Sequence, residues 1–278
     1  MSEAEGLQSA DAATNGGWGA LGRVKAMKAK LREGKPIFGA WLSLNDPAAA
    51  EILARTGFDF LLIDMEHGPW DLVTLQHTLM GFNGTETVPV VRVPWNDHVR
   101  IKQVLDMGVE GIMAPMVRTV DECRALVRAC RYPPVGTRGF GPRRASNYYR
   151  NIEDYVAVAN DALFVMPQIE DIATVAVIDD YLAVPGIDAV AIGPNDLSGT
   201  TGLFRQHKHP TNKTAVDTII AHAHAAGVPV CLGINSKPAE QRDLIARGVR
   251  ILLTTSDVEL LAAGARQVLE ANRQAIGD

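Results

Sequence analysis

The chain has 278 residues, 47% of them hydrophobic and 21% charged, with a formal net charge of −5 and a pI near 5.8. That length can bury a large core, as one barrel-sized domain or two smaller ones, and the absence of a basic stripe interleaved with aromatics argues against a nucleic-acid partner. Residues 1–20 are small, polar and glycine-containing. They hold no apolar core for a signal peptide or membrane span, so they are expected to form a flexible tail before a single domain over 21–278. Cys123, Cys130 and Cys231 make no metal-type pair and no even disulfide framework. They read as buried thiols in a reducing, cytoplasmic compartment.

In chain order, a short basic helix is expected over 24–31, ended by Gly34-Lys35-Pro36. A strand over 37–42 follows, then Asn45-Asp46-Pro47, which caps and opens a helix running to 56. The apolar run Phe60-Leu61-Leu62-Ile63 has the length and branched residues of a buried strand. It turns polar at once, presenting Asp64, Glu66 and His67 before breaking at Gly68-Pro69. The spacing then predicts a helix over 71–82, a strand over 88–93 that carries Arg92 before Pro94, and a helix over 97–107 stopped by Gly108. A strand over 109–114 ends at Pro115, and a helix follows over 120–130.

Residues 132–150 read as a long polar loop rich in glycine, proline and arginine. A strand over 162–170 ends in Gln168 and Glu170, one helix spans 172–182, and a strand over 187–192 ends in Gly193-Pro194-Asn195-Asp196. A second loop over 199–212 leads to a helix over 215–226, a strand over 228–232, a helix over 238–247, a strand over 249–253 and a final helix from 258 to about 275. Alternating units whose strands are continuous apolar runs imply a parallel sheet with both faces covered. Eight such units in about 250 residues fit one (β/α)₈ TIM barrel better than an open sheet. No Gly-x-Gly-x-x-Gly follows the first strand and no P-loop is present.

In such a barrel the residues just after the strands converge on one mouth. Here those are Trp41, the His67 cluster, Arg92, Pro115, Gln168 with Glu170, and Asp196. Glu170 and Asp196 suit a hard divalent cation, Mg²⁺, Mn²⁺ or Co²⁺, which takes one or two carboxylates and leaves its other positions to water and substrate. Equally, Glu170 could cap the helix that begins at Asp171, and Asp196 could be a turn acid. Arg92 is a permanent charge that could hold a carboxylate or a developing oxyanion, or serve as a structural ion-pair partner. His67 suits a general base near neutral pH. All eight lysines fall in helices or loops, which argues against imine chemistry, since that needs a desolvated lysine on a strand.

Six segments together resemble the HpcH/HpaI aldolases, the metal-dependent (class II) pyruvate aldolases. They are Asp64-Met65-Glu66-His67-Gly68, Arg92-Val93-Pro94, Ile101-Lys102-Gln103-Val104-Leu105-Asp106, Tyr132-Pro133-Pro134-Val135-Gly136-Thr137-Arg138-Gly139, Gln168-Ile169-Glu170 and Gly193-Pro194-Asn195-Asp196-Leu197-Ser198. The resemblance runs from about residue 30 to the C-terminus, in the family's order. It implies that Glu170 and Asp196 bind the divalent metal, which chelates the keto oxygen and carboxylate of pyruvate or a relative. It implies that Arg92 steadies the enolate oxygen, that His67 moves protons with Asp106 as its partner, and that Gln168 and the amides around Asn195 line the site, where the strand-end residues Trp41 and Pro115 are also expected to meet substrate. It further implies a homo-hexamer in which the last helix is exchanged between barrels. Asp106 ends a helix and so belongs near the opposite rim, which points to a neighbouring subunit's site, with Asp64 as the local orienter.

The expected reaction is reversible cleavage of a 4-hydroxy-2-oxo acid to pyruvate (or hydroxypyruvate) and an aldehyde. The alternatives are a related lyase acting on a CoA ester, and a barrel that binds a 2-oxo acid without turning it over.

Overall fold

A computed structural model describes residues 21–233 and 237–277; the tail expected over 1–20 lies outside them. The strands are β1 (Ile37–Leu42), β2 (Phe60–Asp64), β3 (Val88–Arg92), β4 (Gly111–Ala114), β5 (Phe164–Ile169), β6 (Val190–Ile192), β7 (Val230–Cys231) and β8 (Ile251–Ser256). All pair in parallel, each with the next, and β1 closes on β8 through Ile37↔Ile251 and its successors. The eight-stranded barrel expected from the strand count is the observed fold. Strands β2 to β6 are buried along their whole length, which is why their sequences read mostly as apolar runs up to the polar residues at their ends.

Helix α1 (Gly22–Arg32) closes the N-terminal end of the barrel. Val24, Met27 and Leu31 face inward, and its basic residues meet acids that stand just before alternate strands. Lys30 pairs with Asp59 ahead of β2 at 2.6 Å and Lys28 with Asp188 ahead of β6 at 2.6 Å. Arg23 pairs with Glu110 ahead of β4. Burial raises the Glu110 carboxyl above its usual range, opposed chiefly by the Arg23 charge.

The outer helices are α2 (Pro47–Ala54), α3 (Leu72–Met80), α4 (His98–Asp106), α5 (Val120–Cys130), α6 (Ile152–Ala162), α7 (Ile172–Val175), α8 (Ile178–Leu182), α9 (Pro194–Thr200), α10 (Pro210–Ala225), α11 (Pro238–Ala246) and α12 (Asp257–Ile276). Starts are set by side-chain caps: Asp46 accepts from Ala48 N, as expected, and Asp71 accepts from Thr74 N and Asp97 from Arg100 N. Two elements depart from the sequence reading. The single helix expected over 172–182 is broken at Ala176-Val177, so that Ile178, Tyr181 and Leu182 turn onto the core and Tyr181 donates to Val117 O at 3.0 Å. Helix α6 lies where no element was expected. Its buried face is Tyr155, Ala159 and Ala162, and small residues carry little periodic signal.

The three cysteines are free and buried, as expected; burial pushes each thiol up to about 12. Among the described residues, no helix is long and apolar enough to cross a membrane. Helix α12 is the longest of the described helices, yet of its 20 residues only Asp257 is buried.

Candidate active site

The C-terminal ends of the strands surround a cavity of about 260 Å³. Trp41, Asp64, His67, Arg92, Gln168, Glu170, Asn195 and Asp196 all line it, so most of the residues singled out in the sequence do share one mouth. Pro115 is not among the lining residues; Met113, two positions earlier on β4, takes that place.

The β2 end is organised by Asp64. Its carboxylate is buried and accepts from the amides of Glu66 (3.2 Å) and His67 (3.3 Å), which fixes the turn after the strand. Gly68 closes this turn, its amide donating to Asp64 O at 3.1 Å. A Cβ there would fall 2.5 Å from that oxygen and 2.6 Å from the Trp70 ring, so no other residue fits.

Arg92 reaches across from β3. Its Nε donates to Asp64 Oδ1 at 2.9 Å and its Nη2 to Asp64 Oδ2 at 2.8 Å, a two-armed pair. Nη1 lies 3.1 Å from Glu66 Oε2, and the guanidinium stacks 4.4 Å above the Trp41 ring. The structural ion pair is therefore present. Because a guanidinium has five N–H groups and Asp64 takes two of them, donors remain for a ligand.

Glu66, to which the sequence reading gave no role, is the carboxylate nearest the His67 ring, 3.7 Å from Nε2. Burial raises its carboxyl above the usual range, opposed by Arg92 and His67, with Asp64 and Asp196 adding to the rise. Asp64 meets the His67 backbone rather than its ring, and the imidazole is 68% exposed.

Glu170 follows β5. The left-handed backbone at Met116 (φ 53) turns that residue's amide onto Glu170 Oε2 at 2.8 Å. Burial pushes the Glu170 carboxyl up to about 7 against this bond, with the Glu66 and Asp196 charges raising it further. Glu170 does not cap α7; Asp171 does, accepting from Ala173 N. Asp196 stands exposed in the first turn of α9. Beside Glu170, the Gln168 side chain is buried and its Oε1 has no hydrogen-bond partner among the described residues. Gly193 lets these groups meet: a Cβ there would lie 2.2 Å from Glu170 Oε1 and 2.8 Å from Gln168 Nε2.

Two further acids have hydrogen-bond partners that sequence alone did not give. Asp257 is buried where β8 meets α12, and its carboxylate accepts from Ser43 N and Leu44 N at 2.8–3.0 Å. It ties the loop after β1 to β8 and so seats Trp41. Asp106 ends α4 at the opposite rim, outside the cavity lining, where its Oδ1 accepts from Arg138 at 2.8 Å. Within one barrel it does not meet His67, because a helix that follows a strand runs back to the barrel's N-terminal face.

The HpcH/HpaI aldolase/citrate lyase family model matches residues 38–263. This chain belongs to the HpcH/HpaI aldolase/citrate lyase family. Like the family's aldolases it is an enzyme, a carbon–carbon lyase. It is 41% identical over 242 residues to a 4-hydroxy-2-oxo-heptane-1,7-dioate aldolase of Salmonella paratyphi C (strain RKS4594), a match covering 86% of this chain and 91% of that one. The crystal structure of an HpcH/HpaI aldolase/citrate lyase family protein from Burkholderia cenocepacia J2315 superposes with a TM-score of 0.84 at 34% identity, over 89% of this chain and 99% of that one. An HpcH/HpaI aldolase from Desulfitobacterium hafniense DCB-2 gives a TM-score of 0.81 at 31% identity, over 89% and 96% of the two chains. The cavity of this chain combines the carboxylates of Asp64, Glu170 and Asp196 with the buried Gln168 amide and Arg92.

Proposed function

We propose that this HpcH/HpaI family member cleaves a 4-hydroxy-2-oxo acid reversibly to pyruvate, or hydroxypyruvate, and an aldehyde, with Glu170 and Asp196 holding a divalent cation. The observation that carries this reading is the charge imbalance at the mouth. Asp64, Glu66, Glu170 and Asp196 gather around one fixed cation, Arg92. Among the described residues no group of three or more His, Cys, Asp or Glu has metal-holding geometry, so a fully protein-coordinated site of the zinc type does not fit. Two carboxylates do fit a hard ion that keeps water and substrate oxygens in its other positions. The unpartnered Gln168 Oε1 is an acceptor suited to one of those waters. When bound, such an ion supplies Lewis-acid charge to the substrate's keto oxygen and carboxylate.

The chain's own residues account for the rest. His67 removes the proton of the 4-hydroxyl; the C3–C4 bond breaks, the aldehyde leaves, and the electron pair moves toward the C2 oxygen. Arg92, held by Asp64 and stacked on Trp41, donates its remaining N–H groups to that oxygen as negative charge develops. His67 then returns a proton at C3. Asn195 and Trp41 border the substrate, and a cavity of about 260 Å³ suits a short 2-oxo acid. Glu66 keeps the imidazole and guanidinium in a common field.

The assembly belongs to this reading. Helix α12 exposes Leu261 at 67%, Val268 at 64% and Ile276 at 80%, and a helix in a protein draws most of its stability from packing its apolar face. It packs on a neighbouring copy, in a homo-hexamer that brings Asp106 of one copy to His67 of another. The deciding experiment is a coupled assay for pyruvate release across a panel of 4-hydroxy-2-oxo acids, with and without chelator. Pyruvate release that chelation abolishes and Mg²⁺, Mn²⁺ or Co²⁺ restores is the expected result; no release from any member of the panel would refute the reading.

A further inference from the structure

Asp106 stands at the last residue of α4, where the helix dipole favours a cation and disfavours an acid. It is held there by the loop over 132–150. The Arg138 side chain is entirely buried, while that of Asp106 stays 23% exposed. Arg138 Nη2 donates to Asp106 Oδ1 at 2.8 Å and Nη1 to Tyr155 OH at 3.1 Å. The guanidinium lies 4.4 Å over the Tyr132 ring, and Phe140 packs against that ring at 5.4 Å. A second buried arginine pins the same loop: Arg144 donates to Met107 O at 2.7 Å and to Leu79 O at 2.9 Å.

A buried ion pair returns in attraction about what it costs in desolvation, and apolar side chains of equal volume stabilise as well or better. Stability alone therefore explains Arg144, which satisfies two helix-end carbonyls, better than it explains a guanidinium aimed at a partly exposed acid. What the Arg138 arrangement achieves is a fixed carboxylate. It engages only Oδ1, while Oδ2 lies beside Gly141, 3.5 Å from where a Cβ would stand.

We propose that Arg138 is a positioning residue for the reaction, clamping Asp106 so that its second oxygen accepts from the His67 imidazole of a second copy of the chain. The proposal rests on the in-trans reading of Asp106 given above. It assigns the Tyr132–Arg138–Tyr155 cluster to catalysis at a distance, in a subunit other than the one whose substrate is cleaved.

The test separates the two layers by mixing subunits, co-expressed with different tags and purified as mixed oligomers. His67→Ala mixed with Asp106→Asn should recover activity at about a quarter of the sites if pairing at each symmetric interface is random. No recovery would overturn the in-trans reading itself. Arg138→Met alone should lower kcat by about 10–100-fold, the usual effect of losing a residue that orients an active group, with KM nearly unchanged because the substrate cavity is built elsewhere. Mixed with His67→Ala it should recover as the Asp106→Asn mixture does, since the restored sites take His67 from one chain and an intact Arg138–Asp106 pair from the other. If Asp106→Asn is complemented and Arg138→Met is not, its effect is on its own barrel and the positioning role is refuted. Should Arg138→Met fail to assemble, Arg138→Lys carries the same mixing test. A point charge cannot reach Asp106 and Tyr155 together, so wild-type kcat in Arg138→Lys would also refute the proposal.

Discussion

Gly193→Ala isolates the seat of Glu170. Gly193 has φ −95° and ψ 88°, which alanine adopts without left-handed strain, so the substitution adds only a methyl group. That methyl would stand 2.2 Å from Glu170 Oε1 and 2.6 Å from its Cγ, where real Cβ atoms do not come within 3.0 Å. The carboxyl must retreat by roughly 0.8 Å, the shortfall from that limit, and Gln168 Nε2, 2.8 Å from the new methyl, must yield as well. Either movement disturbs the 2.8 Å bond from Met116 N. A displacement of about 1 Å in a reacting constellation costs on the order of 10²-fold, and overpacking costs about 1–3 kcal/mol. The expected outcome is a loss of about 10²-fold in kcat/KM for pyruvate release. Mg²⁺ or Mn²⁺ should bind more weakly by calorimetry, and the thermal midpoint should fall by about 2–10 °C for a domain of this size. Wild-type turnover with wild-type cation affinity would refute the assignment of Glu170 as a ligand, as would a variant that lost thermal stability alone.

Other outcomes follow from the same geometry. Borohydride in the presence of pyruvate should leave the enzyme active, and a covalent pyruvyl adduct by mass spectrometry would overturn the metal-type chemistry. His67→Ala should slow cleavage by about 10²–10⁴-fold and slow exchange of the methyl protons of pyruvate into deuterated water; unchanged rates of both would make the histidine structural. Arg92→Ala should cost about 10²–10³-fold, with Arg92→Lys recovering only part because the two-armed contact to Asp64 needs the planar fork; an effect on thermal stability alone would leave Arg92 as an ion-pair partner. In chelated protein the raised carboxyl of Glu170, about 7 against an ordinary 4.5, means that the folded state holds a proton the unfolded state has released. Its contribution to stability is therefore present below pH 4.5 and lost as pH rises through 7. Added Mg²⁺, which needs the ionised carboxylate, should raise the thermal midpoint more at pH 8 than at pH 6, and an equal rise at both would contradict this. A monomeric mass at micromolar concentration would refute the packing of α12 on a neighbour.

Much of the architecture was legible before any coordinates. The strands β2 to β6 are apolar up to the polar residues at their C-terminal ends because both faces are covered, so each announces itself without periodicity. The helix start at Asp46 was marked by its cap, and the starts at Asp71 and Asp97 fall on residues that the structure shows to be caps. Helix α6 was hidden because Ala159 and Ala162, which form much of its buried face, are too small to stand out in a pattern. The break at Ala176-Val177 was hidden because no proline or glycine marks it; packing of Tyr181 under Val117 decides it.

By itself the sequence determined which residues end the strands, and parallel topology then sends all strand ends to one side. That is enough to gather His67, Arg92, Gln168, Glu170 and Asp196 without knowing a single distance. Only the tertiary structure decided how those groups pair, because pairing depends on side chains that are remote in sequence and close in space. It gave both Nε and Nη2 of Arg92 to Asp64, set Glu66 between Arg92 and His67, and turned the Met116 amide onto Glu170. It also replaced Pro115 with Met113 at the cavity wall and gave Asp106, at the far rim that its helix end implied, to Arg138. The reason is the same in each case: a strand or helix fixes the direction in which a residue leaves the backbone, while the partner it finds is set by the closure of the barrel.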